Sequence, residues 1–278
     1  MENVELELSQ EIILLLKYLL LGIFQGFTEP IPVSSSGHLV FLQHFLGVEI
    51  EGLSFEVFVN FASLFAILVI YRHDLKQLIS GFFRYLLKKD EDSKSDYRFG
   101  IFIIIATIPA VVIALLFEDW IAGELKQIHV IAVTLLITGA ALFLIRNLKG
   151  WKNDHEISLK EVIIVGLAQA IALIPGISRS GATIVAAMGL GWKQETALRF
   201  SFFLFIPISV GAGILAVSDL LQDPNLADLA VPYLLAFVGS FIASYFSLKW
   251  FMNIMRSGKL IYFALYCFVV GTLVLVIL

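Results

Sequence analysis

Six stretches of this chain are long and apolar enough to cross a lipid bilayer: roughly 54–72, 99–117, 128–145, 197–218, 229–250 and 260–278. A hydrocarbon core about 30 Å thick needs about 20 apolar residues of helix at 1.5 Å each. In lipid a helix satisfies its own backbone hydrogen bonds, so the pattern points to an all-α integral membrane protein. Composition agrees. With 59% hydrophobic and only 15% charged residues, the chain cannot cover a water-soluble surface, where charged residues make up about 25%. The 24 Phe and 7 Pro also exclude disorder. A net charge of −4 argues for no nucleic acid partner. The single cysteine, Cys267, excludes an intramolecular disulfide and a cysteine-built metal site. The acidic start MENVELELSQE is unlike a cleaved signal peptide, so the first apolar stretch is expected to stay in the mature protein.

Two further apolar segments are interrupted. Residues 12–28 run into EPIPVSSSGH and resume over 39–46; residues 161–174 run into PGISRSGAT and resume over 184–190. Each reads as a half-length helix, a break and another half-length helix, since Pro removes a backbone donor and Gly loosens the helix. Such backbone is tolerated at membrane depth only where protein or water satisfies it. The pattern therefore predicts six transmembrane helices plus two re-entrant helical hairpins with their tips inside the protein. The two interruptions also resemble each other. Residues 22–37 align with 166–181 at a constant offset of 144, pairing Gly22 with Gly166, Gln25 with Gln169, Ser34 with Ser178, Ser36 with Ser180 and Gly37 with Gly181. Downstream, Glu56 and Phe61 match Glu195 and Phe200. This implies an inverted-topology repeat within one polytopic domain, 1–278. Repeat 1 covers about 12–117, repeat 2 about 128–250, and a last helix 260–278. Such repeats place a polar site near the bilayer midplane, where helix N-termini offer N–H groups to an anion.

Charge predicts the orientation. The connections 72–98, 146–160 and 249–259 carry Arg72, Lys76, Arg84, Lys88, Lys89, Lys94 and Arg98; Arg146, Lys149, Lys152 and Lys160; and Lys249, Arg256 and Lys259. They fall on one side if the spans alternate, and that side is cytoplasmic. The other connections are acidic, with Glu49 and Glu51; Glu118, Asp119 and Glu124; and Asp219, Asp223 and Asp228. Both termini are then expected outside, with the first hairpin entering from outside and the second from the cytoplasm. Residues 75–89 read as an amphipathic helix at the cytoplasmic interface.

Ionisable groups in the apolar region are costly and mark function. The candidates are Lys17, Glu29, His38, His44, Glu56 and Arg179, of which Glu29, His38 and Arg179 sit at the breaks. Ser34, Ser35, Ser36, Ser178, Ser180 and Thr183 join them there. An arginine, hydroxyls and loop N–H groups suit a phosphate. Histidine and glutamate suit proton transfer, and glutamate also a divalent cation. Plainer readings stand beside these: Arg179 as counter-ion to Glu29, His38 as an interior histidine, single serines as caps, Gln25 as a helix-to-helix hydrogen bond, Lys17 snorkelling, His44 near the interface, and Glu56 as an outer cap after Ser54.

The segment Gln25-Gly-Phe-Thr-Glu29-Pro-Ile-Pro-Val-Ser-Ser-Ser-Gly-His38 resembles the first signature of the bacterial undecaprenyl-diphosphate phosphatases, the BacA or UppP family. Pro175-Gly-Ile-Ser-Arg-Ser-Gly-Ala-Thr183 resembles the second. The resemblance runs over the whole chain. It implies an enzyme of the bacterial plasma (inner) membrane that removes the terminal phosphate of a polyisoprenyl diphosphate lipid. This recycles the carrier lipid for cell-wall synthesis and confers bacitracin resistance, with a divalent cation, Mg²⁺ or Ca²⁺, as cofactor. Glu29, Ser35, His38 and Arg179 fall on the family's catalytic positions. Gln25 stands at a position that is Glu or Gln in the family and so offers a neutral carbonyl, which puts a two-carboxylate metal site in question. On this reading Arg179 clamps the terminal phosphate, Glu29 and Gln25 hold the metal, and Ser34, Ser36, Ser178, Ser180 and Thr183 line the substrate. Ser35 attacks with His38 as its base, His38 or water being the other nucleophiles to consider. Asn60 is given no role. Membrane lipid surrounds the chain, and the sequence leaves a homodimer open. A non-enzymatic lipid-phosphate flippase or secondary transporter would use the same broken helices. The acid-phosphatase-like lipid phosphatases want a His six residues after the Arg, where Val185 stands here.

Overall fold

A computed structural model describes residues 2–48, 54–222 and 226–277. The acidic residues Glu49, Glu51 and Asp223, and the side chains of Glu118, Asp119 and Asp228, lie outside what is described. The described residues form eleven α-helices: α1 (Glu2–Thr28), α2 (Ser35–Leu46), α3 (Ser54–Ile70), α4 (Arg72–Lys88), α5 (Lys94–Ala122), α6 (Ile128–Ile145), α7 (Leu159–Ile171), α8 (Arg179–Gly189), α9 (Gln194–Gln222), α10 (Leu226–Arg256) and α11 (Ile261–Ile277). Short 3₁₀ turns and one isolated bridge, Lys152 with Trp192, complete them, and no strand occurs among the described residues.

Five stretches are long and apolar enough to cross a membrane: Leu8–Thr28, Glu91–Phe117, Ile128–Ile145, Gln194–Gln222 and Leu229–Arg256. The pair α3 and α4, bent by 80° at Tyr71, passes as a sixth, and α11 is a shorter apolar helix. The chain is thus an all-helical, multi-pass membrane protein. The bend at Tyr71 separates the apolar α3 from α4, which carries the expected amphipathic pattern of 75–89.

The two broken segments differ. The second follows expectation, with a 13-residue α7, a bridging loop and an 11-residue α8. The first departs from it, because α1 has 27 residues rather than half a span. Its opening turns, rich in Glu and Leu, are good helix formers although too polar to register as a membrane segment. Only the Pro-Ile-Pro stretch after Thr28 stops it.

Packing relies on small residues. A Cβ placed on Gly22 or Gly26 of α1 would collide with the backbone of Ala236 or Ser240, so α1 and α10 touch backbone to backbone. One face of α10 then sends hydroxyls to neighbouring carbonyls: Ser240 to Val59 within α3 at 2.7 Å, and Ser244 to Gly26 at 2.9 Å and Ser247 to Phe27 at 2.5 Å in the last turn of α1. On the other side Gly166 of α7 meets α5, where a Cβ would come 2.7 Å from the Ala106 carbonyl oxygen. In a bilayer, where water does not drive helices together, such close contact and hydrogen bonding hold them. Apolar side chains such as Leu116, Leu144, Leu221 and Val276 point outward.

The polar ends separate. At one end Ser95 meets His155 at 2.7 Å, Arg98 donates to the carbonyls of His155 and Ile157, and Lys152–Glu161 and Arg199–Asp154 form ion pairs. This gathers the basic 72–98 and 146–160 connections. A second cluster joins Lys126 to Glu56 at 2.6 Å and Ser54 to Asp219 at 3.5 Å.

Candidate active site

The two interruptions meet. Ser34 caps α2 by accepting from Gly37 N at 3.4 Å, and Ser178 caps α8 by accepting from Gly181 N at 3.1 Å. Both are the serine N-caps that orphan first-turn amides favour. Ser34 holds the left-handed conformation, φ 66°, which is uncommon for a residue with a side chain. Gly37 packs near Gly176, Gly181 lies near Pro32, and Ser180 Oγ reaches the Ile31 carbonyl at 3.5 Å. Two hydroxyls of α6 fix the second loop from behind. Thr134 donates to the Pro175 carbonyl at 2.6 Å; Thr138 donates to the Gly176 carbonyl at 3.1 Å and accepts from Ser178 N at 3.2 Å. Gly176, at φ 90°, leaves no room for a Cβ beside Thr134 Oγ1.

At the junction lies a cavity of about 240 Å³. The first broken segment and α3 supply Gln25, Glu29, Ser34, Ser35, Ser36, Glu56 and Asn60 to its wall. The second and α9 supply Gln169, Ser178, Arg179, Ser180, Phe205 and Ser209. Glu29 is its centre. One carboxylate oxygen pairs with Arg179; the other accepts from Ser35 Oγ at 2.5 Å and from Gln25 Nε2 at 2.9 Å. The guanidinium also lies 3.7 Å from the centroid of Phe205, a cation–π contact that orients it. The expected counter-ion pair is therefore present, with a serine hydroxyl on the same carboxylate.

Two expected residues stand apart from this group. His38 does not line the cavity. Its Nδ1 is 2.8 Å from the Ser34 carbonyl, and its Nε2 is 2.9 Å from the hydroxyl of Tyr266, on which the ring stacks. Both ring nitrogens are occupied, so the acceptor on Ser35 Oγ is Glu29 rather than His38, and His38 instead links the backbone of the first tip to α11. Thr183 is also off the cavity wall: its hydroxyl donates to the Arg179 carbonyl at 3.0 Å and meets Ser201 Oγ at 2.6 Å. Of the plainer candidates, Lys17 donates to the Leu46 carbonyl at 2.6 Å, His44 is exposed, and Glu56 is on the cavity wall as well as paired with Lys126.

Gln169, Phe205, Ser209, Thr134 and Thr138 are site or supporting residues that the motifs do not name. Gln169 carried a signal, since it pairs with Gln25 in the internal alignment. The others lie on uninterrupted helices and gave none.

The model of the bacitracin resistance protein BacA family matches residues 18–273. A protein of Halalkalibacterium halodurans called undecaprenyl-diphosphatase 1 is 69% identical over 98% of this chain and all of its own length. Undecaprenyl-diphosphatase 2 of Bacillus thuringiensis is 60% identical over 95% of this chain and 98% of its own. Undecaprenyl-diphosphatase 1 of Bacillus licheniformis is 58% identical over 96% and 99%. By this coverage and identity the chain belongs to the BacA bacitracin resistance family.

Proposed function

We propose that the protein is an undecaprenyl-diphosphatase. It removes the terminal phosphate of undecaprenyl diphosphate, returns the monophosphate carrier lipid to cell-wall synthesis, and so supports bacitracin resistance. The relatives' shared name supports the substrate. The reaction rests on one observation: Ser35, Glu29 and Arg179 are linked side chain to side chain in a buried cavity between two helix N-termini.

The geometry suits phosphoryl transfer, in which positioning and charge stabilisation dominate. Arg179 binds the terminal phosphate with the N–H groups that Glu29 leaves free, a task its planar fork suits. First-turn amides of α2 and α8 add donors. Ser35 Oγ attacks the terminal phosphorus and passes its proton to Glu29. The bond from that phosphorus to the bridging oxygen breaks, and the lipid monophosphate leaves with the proton. Water then attacks the Ser35 phosphoester, giving its hydroxyl to phosphorus and a proton to Ser35 Oγ, and inorganic phosphate departs.

Charge bookkeeping supports a divalent cation. Arg179, the cationic side chain on the cavity wall, is paired with Glu29, and Glu56 on that wall is paired with Lys126, so these charges are already balanced. Among the described residues no group of three or more His, Cys, Asp or Glu could hold a metal. Glu29 accepts three hydrogen bonds, leaving about one lone pair, and Gln25 Oε1 is buried without a partner. These two oxygens would hold Mg²⁺ or Ca²⁺, which takes its remaining ligands from water and phosphate. When bound, such an ion offsets charge on the phosphate oxygens.

The orientation is part of the same reading. The basic connections face the cytoplasm of the bacterial plasma membrane, both termini lie outside, and the two broken segments enter from opposite faces as an inverted repeat. Two pairings support it: α1 packs on α10 through Gly22, and its counterpart α7 packs on α5 through Gly166. The test of function is release of inorganic phosphate and undecaprenyl phosphate from undecaprenyl diphosphate by purified protein in detergent. Lipid movement across liposomes without any phosphate release would instead make the protein a flippase.

A further inference from the structure

Apart from Glu56 Oε1, which is ion-paired with Lys126, three buried polar atoms on the cavity wall have no hydrogen-bond partner: Gln25 Oε1, Gln169 Nε2 and Ser209 Oγ. The first adjoins Glu29 and is accounted for above. The other two belong to the opposite wall, on α7 and α9. Gln169 is 1% exposed and Ser209 4% exposed, so bulk water does not serve them. A buried donor left unmade is costly, and groups left so in a native structure mark a missing partner.

An amide N–H asks for an oxygen. The catalytic group spends Arg179 and Ser35 on the terminal phosphate, yet a diphosphate brings a second phosphate one bridging oxygen away. Gln169 faces the same cavity from the helix that precedes the Arg179 loop. It is a neutral donor, so it adds a hydrogen bond without adding a charge that needs a counter-ion. We propose that Gln169, assisted by Ser209, is a second phosphate subsite that holds the lipid-proximal phosphate and thereby makes the enzyme prefer a diphosphate head to a lone phosphate. This rests on the phosphatase reading above. The internal alignment gives it a simple structural logic: Gln25 and Gln169 occupy matching places before the two breaks, one turned to the catalytic carboxylate, the other left for substrate. A site built to satisfy a particular polar group discriminates strongly against ligands lacking it, because its own buried group is then unpaired.

The two products separate the two subsites. Inorganic phosphate carries the terminal phosphate only; an isoprenyl monophosphate carries the proximal one. Both are measured as inhibitors of isoprenyl diphosphate hydrolysis by the full chain in detergent. Gln169→Met keeps the side chain's length and removes the donor. It is expected to raise the inhibition constant of isoprenyl monophosphate about tenfold, the worth of one hydrogen bond to a charged group, and to leave that of inorganic phosphate unchanged. KM should rise with the first constant. Gln169→Glu, which sets a carboxylate against phosphate, should raise it further, and Ser209→Ala should raise it less. Thermal unfolding of Gln169→Met should occur no lower than in the parent, because an unpartnered donor is removed. Equal changes in both constants, no change in either, or a lowered unfolding temperature would each overturn the subsite. Absence of phosphate release by the unmodified protein would instead overturn the phosphatase reading beneath it.

Discussion

Arg179→Ala separates what the ion pair does for the fold from what it does for the reaction. Glu29 is 7% exposed, and its carboxylate pairs with Arg179. Removing the guanidinium leaves a buried carboxylate held only by Ser35 and Gln25. Breaking a buried pair in this way costs about 3–5 kcal/mol. Turnover should fall at least ~100-fold, the scale for losing one donor that stabilises transferring charge. Arg179→Lys returns the charge without the two-pronged geometry and should recover part of the turnover only. Adding Glu29→Gln to Arg179→Ala removes the orphaned charge, and the glutamine still offers oxygen to Ser35. The double variant should therefore regain most of the lost thermal stability in detergent yet release no phosphate. The assay pairs an unfolding curve with phosphate release on the same preparation. A double variant that regained turnover along with stability would show Arg179 to be a counter-ion and nothing more.

Other outcomes follow from the same structure. Chelation should abolish phosphate release and added Mg²⁺ restore it, and Gln25→Glu, by adding a carboxylate, should lower the Mg²⁺ concentration giving half-maximal rate; an unchanged Mg²⁺ requirement would remove Gln25 from the metal site. Gly22→Leu must force α1 off α10, and overpacking of about 1–3 kcal/mol or more should appear as a lower unfolding temperature, whereas Gly211→Leu, where a Cβ meets nothing within 4 Å, should not lower it. Tyr266→Phe removes the hydroxyl on His38 Nε2 and should destabilise by about 1 kcal/mol, with the pH profile of turnover unmoved because His38 is not the base on Ser35; a shifted profile would restore His38 to that role. A cysteine at exposed Asp92 should resist an impermeant thiol reagent in intact cells while one at exposed Glu124 reacts, and the reverse labelling would invert the topology.

The sequence made the all-helical membrane character and the two interruptions legible, because apolar length and Pro/Gly breaks act locally. Glu29, Ser35 and Arg179 were legible for the same reason, since an ionisable residue beside a break in an apolar run has few other uses. The partner of each was not. That Ser35 turns to Glu29 rather than to His38 depends on a one-turn difference in where two side chains point from α2, together with a tyrosine 228 residues away. The length of α1 is not legible from hydropathy, because hydropathy and helix propensity disagree over the Glu-rich opening turns. Thr134 and Thr138, which grip the second loop, look like any two hydroxyls on a membrane helix until the loop is placed beside them.

The glycine contacts of α1 and α7 bear on how such a molecule can move. The helix before the first break, α1, rests on α10, and the helix before the second, α7, rests on α5, so each is clasped by a helix from the other half of the chain. At Gly22, Gly26 and Gly166 the surfaces in contact are backbone, with no side chain whose rotation could let one slide over the other. A rocking motion that parted the halves would have to open both clasps together. At these contacts the frame is that of a fixed vice, whose jaws stay put.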